Sequence, residues 1–313
     1  MSRKKELEIV QHTNMNHLEI FFVEMTARGP HGHDDLEIGV LLKGTVTLVL
    51  EQKSYILQEG DIYLINRHQV HSFARTDTDN LILAFQIHTE FYKQADYSLG
   101  FLRFENNIIG SGSLHDTLLG SLYECTGYYF KDVPYNALKC SSIMLDVLFQ
   151  LACSTNCHVA TEKESASAYH NTLRLKRITE YIGEHYTEHI SLQDIASLEN
   201  ITDYHASHFI KKMLGMSFQE YVSGLRFMHA LTLIRKTDLS ILDICMETGF
   251  SSSRYLNQMF LKNFQCTAKE YMKMKEKPRL TSAALPTNNI QKRYTYEQAS
   301  AYAKRLGTLS SKI

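Results

Sequence analysis

The hydrophobic period of this chain changes from two to about 3.6 near residue 113. From His17 to Ile87 apolar and polar residues alternate in seven short runs: HLEIFFVEM, LEIGVLLKG, TVTLVLEQ, KSYILQ, DIYLIN, HSFART and LILAFQI. Turn residues stand between them at Gly44, Gly60 and Asp77. Alternation is the mark of half-buried strands, and many short strands at close spacing predict a sandwich or barrel. Helical spacing follows. Residues 113–130 carry Leu114, Leu118, Leu119, Leu122, Tyr123 and Phe130. Residues 135–153 carry Ala137, Leu138, Ile143, Met144, Leu145, Val147, Leu148, Phe149 and Leu151, apolar nearly all round, so this helix needs partners on more than one side. The polar, Ser/Ala-rich stretch STNCHVATEKESASAYH over residues 154–170 reads as a flexible linker.

Beyond it one unit is written twice. DIASLENITDYHASHFIKKMLGMSFQEY from Asp194 is echoed by DICMETGFSSSRYLNQMFLKNFQCTAKEY from Asp243, at an offset of 49 that becomes 50 past the middle. Each copy has the pattern of two short helices around a tight turn. In the first, Ser191 caps a helix with Leu192, Ile195, Ala196 and Leu198 inward, Asn200 turns, and Thr202 caps a helix with Ala206, Phe209, Ile210 and Met213 inward, ended by Gly215. In the second, Ser240 caps, Gly249 turns, Ser251 or Ser252 caps, and Tyr255, Leu256, Met259 and Phe260 face inward. A helix from about Phe218 to Lys236 joins the copies, with Phe227, Ala230, Leu233 and Ile234 available to pack. A second helix that protrudes beyond a tight turn fits the major groove of DNA.

Net charge is −1, but it is unevenly spread. Residues 1–169 hold 13 Lys/Arg against 21 Asp/Glu, residues 170–278 hold 14 against 12, and residues 279–313 hold 6 against 1. The acidic N-terminal part is not expected to bind nucleic acid; the duplicated part can, given suitable placement of its cations. The start, MSRKKELEIV, has no apolar run behind it, and no stretch reaches the roughly 18 apolar residues of a membrane span, so no membrane partner and a cytoplasmic location are expected. Cys125, Cys140, Cys153, Cys157, Cys245 and Cys266 sit in apolar helical patterns and read as reduced, buried thiols; Cys153, Cys157 and His158 lack the second ligand pair of a metal clip.

The segments SLQDIA, KKMLGMSFQEY, LRFMHALTLI, TDLSILDICMETGF and YLNQMFLKNF, in this order over residues 171–277, resemble the DNA-binding domain of the AraC/XylS family of transcription regulators. Two departures stand out: Tyr204, Ser207 and His208 replace an Arg-rich outer face, and QCTAKEY replaces GxSPxEY, with Gln265 for Gly and Ala268 for Pro. The resemblance implies two reading helices. Tyr204, Ser207, His208, Lys211 and Lys212 are the outward set on the first, and Ser253, Arg254, Asn257, Gln258 and Lys262 on the second. Arg suits guanine, Asn or Gln suits adenine, and Lys suits phosphate.

HGHDDLEIGVLLKG, that is His31-x-His33-x3-Glu37-x6-Gly44, followed by GDIYLINRHQVHSF from Gly60, resembles the cupin barrel that serves as sensory domain in one AraC branch. The leading Gly of the first motif is missing, and Asn66, Arg67 and His68 replace the Asn-Pro-Gly corner; His68 is expected to be exposed. His31, His33, Glu37 and His71 are implied to line the barrel. Three imidazoles and a carboxylate suit a divalent transition metal, as in cupin enzymes, or a hydrogen-bonding effector pocket, as in AraC-type cupins; the pocket is preferred and no cofactor is expected.

The expected architecture is therefore an all-β cupin barrel over residues 1–110, a helical dimerisation region over 111–155, a linker over 156–170, an all-α double helix-turn-helix domain over 171–277 and a basic polar tail over 278–313, with one short helix at 295–307 and no assigned role. The expected function is a non-enzymatic transcriptional regulator, an activator by the family's commoner mode. It binds promoter DNA, responds to a small effector such as a carbohydrate, works with RNA polymerase and forms a homodimer. Two other readings compete with it: a metal-dependent cupin enzyme targeted by DNA modules, and a protein-binding scaffold.

Overall fold

The computed structural model describes residues 15, 17–76, 78–278 and 290–310. The turn expected at Asp77 lies outside them. All seven predicted strands form: β1 (Leu18–His31), β2 (Asp35–Lys43), β3 (Val46–Leu50), β4 (Lys53–Leu57), β5 (Ile62–Ile65), β6 (His71–Arg75) and β7 (Leu81–His88). A four-residue helix, α1 (Glu90–Lys93), precedes β8 (Leu102–Phe104) and β9 (Ile108–Ile109). The sheet runs β4-β3-β6-β1-β7-β2-β5-β9 and curls around two apolar layers. One layer holds Val23, Leu48, Tyr63 and Phe73. The other holds Ile20, Phe22, Ile38, Leu64 and Phe85, and packs on the helices that follow.

Those helices are α2 (Ser113–Tyr129) and α3 (Asn136–Ser154). Cys140, Ile143, Met144, Val147, Leu148 and Leu151 of α3 are buried, while Leu138, Leu145 and Phe149 stay exposed. By length and composition alone α3 is long and apolar enough to cross a membrane, contrary to the expectation that no stretch comes close. Its buried face is instead part of the core shared with the barrel.

The stretch read as a linker is structured. β10 (Cys157–Val159) pairs with β8, and α4 (Glu162–His185) starts at a capping box made by Thr161 and Glu164. Composition alone missed both, because a Ser/Ala/Glu-rich stretch is also a good solvent-facing helix once it is capped. Cys157 lies on this strand half-buried and Cys153 is exposed, against the expectation that both were buried in helices.

The duplicated region folds as α5 (Leu192–Glu199), α6 (Asp203–Leu214), α7 (Phe218–Lys236), α8 (Ile241–Thr248), α9 (Ser253–Phe264) and α10 (Ala268–Lys273). The repeat is visible in its caps. Ser191–Asp194 and Ser240–Asp243 form capping boxes on α5 and α8, and Ser217–Glu220 and Thr267–Glu270 do so on α7 and α10. The corners are left-handed at Asn200 (φ 52°) and Gly249 (φ 77°), and α6 and α9 end left-handed at Gly215 (φ 72°) and Gln265 (φ 56°). Gln265 thus ends its helix as the absent glycine would, at a modest steric cost. α7 divides its buried face between two cores: Phe218, Tyr221, Val222 and Leu225 join the first module, and Phe227, Ala230, Leu231 and Ile234 join the second. The chain then returns to the barrel as β11 (Ile290–Arg293) and α11 (Tyr296–Ser310).

Candidate effector cavity and DNA interface

The register of the sheet gathers the sequence-predicted barrel residues. β1 pairs His31 with His71 of β6, and β2 pairs Glu37 with Gln86 of β7. Gly39 sits opposite Tyr63, and a Cβ there would meet the Tyr63 ring at 2.0 Å. The missing side chain lets Tyr63 lie over β2, where its hydroxyl donates to Glu37 Oε1 at 2.9 Å. Gln86 Nε2 donates to Glu37 Oε2 at 3.1 Å, and His33 Nε2 lies 3.1 Å from the same oxygen.

Hydrogen-bond logic fixes much of the proton distribution. His71 Nδ1 faces Gln69 O at 3.0 Å and must carry the hydrogen, so its Nε2 offers a lone pair; that atom is buried and has no partner. Arg28 Nε donates to His31 Nε2 at 2.8 Å, which leaves the hydrogen of His31 on Nδ1, donated to Gly29 O at 2.9 Å. His33 faces an acceptor on both sides, Asp35 O at 2.9 Å and the Glu37 carboxylate. A proton or another cation must therefore sit between His33 and Glu37. Burial pushes the Glu37 carboxyl up, but the hydrogen bond and charge of His33, with His71 and Gln86, hold it down to about 2. Burial and the charge of His33 push His71 down to about 3, and burial, His71 and Arg28 hold His31 well below its ordinary value.

His31, Glu37 and His71 line one cavity with Arg28, Tyr63 and Gln86; its volume is ≈ 20 Å³. That is room for a water molecule or an ion, not for a sugar. His33, Glu37 and His71 can each aim one ligand atom at a common point, these atoms lying within 4.8 Å of one another. His31, kept on Arg28 and Gly29, is outside this group.

The cavity abuts the DNA-binding domain. Val70, next to His71, is 3% exposed because it is buried among Leu175 and Ile178 of α4 and the rest of the first module's core. Thr172 Oγ1 donates to His68 O at 3.1 Å, and Gln52 Nε2 reaches Lys212 O at the end of α6 at 3.5 Å. His68, expected to be exposed, is buried between Asp34 (3.1 Å) and the Tyr169 ring (5.2 Å between centroids), because the loop it corners forms the domain contact. Burial raises the Asp34 carboxyl, but hydrogen bonds from His68 and Arg67 outweigh this and bring it down to about 2.

On the DNA side, Tyr204, Ser207, His208, Lys211 and Lys212 of α6 are exposed, as are Ser253, Arg254, Gln258 and Lys262 of α9. Asn257 departs from its assignment as a base reader. It is half-buried, and its Oδ1 accepts the N–H of Ala268 at 2.9 Å, one of the free donors at the start of α10. Tyr255, placed inward by its spacing, is 56% exposed on α9. Its position next to Arg254 adds it to the outward face; only Leu256 and Phe260 of that helix are fully buried.

A curled sensory sheet followed by two capped helix-turn-helix modules defines the class of ligand-responsive transcription regulators. The chain matches an AraC-like ligand binding domain over residues 23–88 and a helix-turn-helix domain over residues 195–274. Both matches, in this order, are those expected from the resemblance to the AraC/XylS family. It is similar to the lactose operon transcription activator of Staphylococcus xylosus, 33% identical over 97 residues, 31% of this chain and 35% of that protein. It is also similar to the HTH-type transcriptional activator RhaS of Enterobacter sp. (strain 638), 22% identical over 257 residues, 77% of this chain and 86% of that one. The chain thus spans about a third of the first relative and most of the second. Among solved structures, ToxT from Vibrio cholerae aligns with 82% of this chain and 97% of its own, at 12% identity and a TM-score of 0.37.

Proposed function

We propose that this protein is a non-enzymatic, sequence-specific activator that reads double-stranded promoter DNA with α6 and α9 and is switched by a small effector at the barrel cavity. In this reading it acts as a homodimer in the cytoplasm and recruits RNA polymerase. The observation that carries the DNA reading is the pair of outward helices joined by the single helix α7, whose buried face belongs to both cores. Such a joint fixes the spacing of the reading helices, so one chain can address two successive major grooves. The exposed face of α3 supports the dimer. Selection of bound duplexes from a random pool by the full-length protein is the test. A shared motif, with affinity falling steeply in salt, is expected; binding without sequence preference overturns the proposal.

For the cavity, contact between the histidines and a polar effector remains the first reading, and a carbohydrate requires the cavity to enlarge. One observation favours a second: the lone pair of His71 Nε2, that of His33 Nε2 and the Glu37 carboxylate converge where a cation is needed. Two imidazoles and a carboxylate suit a divalent transition metal, which would bring positive charge and a Lewis-acid position to the barrel. Metal content of the purified protein, with His71→Ala as control, separates the readings. One equivalent of metal lost in the variant supports an ion. A metal-free wild type whose melting temperature rises with a sugar such as lactose supports direct contact.

A further inference from the structure

The C-terminal segment, basic and without a role in sequence, completes the barrel. β11 pairs antiparallel with the middle of β1 in the register Val23↔Arg293, Glu24↔Lys292, Met25↔Gln291 and Ala27↔Ile290. This lies between the stretch of β1 that pairs with β7 (Leu18 to Val23) and the stretch that pairs with β6 (Ala27 to His31). Side chains alternate across a strand. Lys292 accordingly points outward to Glu24 Oε2 at 3.5 Å, while Gln291 and Arg293 line the same cavity as His31, Glu37 and His71. The segment is seated by specific contacts. Arg293 stacks on the Phe21 ring (3.8 Å to its centroid) and donates to Glu19 Oε1 at 3.1 Å. The Tyr294 N–H donates to Phe22 O at 2.9 Å, and its hydroxyl donates to Glu24 Oε1 at 3.2 Å. Behind it, Ala299, Ala303 and Leu306 of α11 are buried in the core that holds Leu118 and Leu122 of α2.

We infer that β11 is the movable wall of the cavity, and that Gln291 and Arg293 are residues of the ligand site. The inference rests on reading the cavity as the effector site. A volume of ≈ 20 Å³ admits no organic effector as it stands, so some wall must yield. β1, β2, β5, β6 and β7 are interior strands of the sheet, whereas β11 lies off its main path, held by four register pairs, three anchoring side chains and one amphipathic helix. It is the part of the wall that can leave without breaking the barrel's own ladder. The ligand that replaces it meets the unpartnered lone pair of His71 Nε2, so it presents a hydrogen-bond donor or a cation there.

The test reads access to the cavity and needs neither effector nor DNA, so it is separate from the test of the effector reading. Ala84 lines the cavity and is 1% exposed. In the full-length Ala84→Cys variant, alkylation of residue 84 by iodoacetamide is followed by peptide mapping, which resolves it from the native cysteines. Adding Ala303→Glu unseats α11, and adding Gln291→Ala with Arg293→Ala removes only the two wall side chains. Both are expected to speed labelling at residue 84 about tenfold or more. Hydrogen exchange over residues 290–306 reports whether the segment has been released. Released exchange there with an unchanged labelling rate at residue 84 overturns the inference. So does labelling as fast in the Ala84→Cys parent as in an unfolded chain. Should Ala303→Glu unfold the barrel, the Gln291/Arg293 variant decides alone.

Discussion

Val70→Ala tests how the barrel holds the DNA-binding domain. Val70 belongs to the barrel, yet its side chain is 3% exposed within the core of the first helix-turn-helix module, among Leu175, Ile178 and Ile182. The substitution removes two buried methyl groups. At ~0.8 kcal/mol per group, plus a term for the cavity left behind, the loss is about 1.5–3 kcal/mol. Val70 is the barrel's contribution to that core, so the loss falls on docking. The ratio of docked to undocked molecules should fall about tenfold to a hundredfold. Hydrogen exchange on the full-length protein is the assay: amides in residues 66–71 and along α4 should exchange faster, while β2, β7 and α7 keep their protection. The contact between Thr172 and His68 should loosen with them. Equal loss of protection throughout the barrel would refute the argument, because it would make Val70 an ordinary core residue. Unchanged exchange at α4 would refute it as well, because docking would then not depend on the buried methyls.

Arg254→Ala should weaken specific binding by about 1–3 kcal/mol and relax preference at one base position, whereas Lys262→Ala should weaken all sequences alike and flatten the salt dependence; titrations against the selected and a scrambled duplex separate the two. Asn257→Ala should lower the melting temperature through loss of its bond to the Ala268 N–H, about 1 kcal/mol, and leave the selected motif unchanged; a changed motif would restore Asn257 as a reader. Gly249→Ala should destabilise the second module by several kcal/mol, since a Cβ there meets Thr187 O at 2.5 Å and the backbone is left-handed; a denaturant titration showing a loss of a few tenths would contradict this.

The strands, the two modules and most of their caps were legible because each rests on local chemistry; the exception is α9, where Ser252 stands at the N-cap but makes no side-chain cap hydrogen bond. Alternation marks a pleated, half-buried surface, and Ser191, Thr202 and Ser240 stand where a helix needs its first donors satisfied. The barrel cluster was legible in part. Spacing put His33, Glu37 and His71 together, but it could not tell that Arg28 would engage His31, or that Gly39 opens the way for Tyr63. Position on a helix face suggested Asn257 as a reader. Its bond to Ala268, eleven residues on, depends on how α10 packs back on α9. Tyr255 was misplaced by one position on the helical wheel. The return of residues 290–310 to β1 and α2 was invisible, because a four-residue strand of mixed character acquires its meaning only from the edge it meets.

The central claim is that one chain reads two adjacent grooves with α6 and α9. Base-resolution footprinting of the full-length protein on its selected duplex tests it most directly. Each bound chain should protect two major-groove segments about one helical turn, roughly 34 Å, apart. Arg254→Ala should release one of them and Lys211→Ala with Lys212→Ala should weaken the other. A single protected segment per chain, or two segments that respond together to either set of substitutions, would contradict the account.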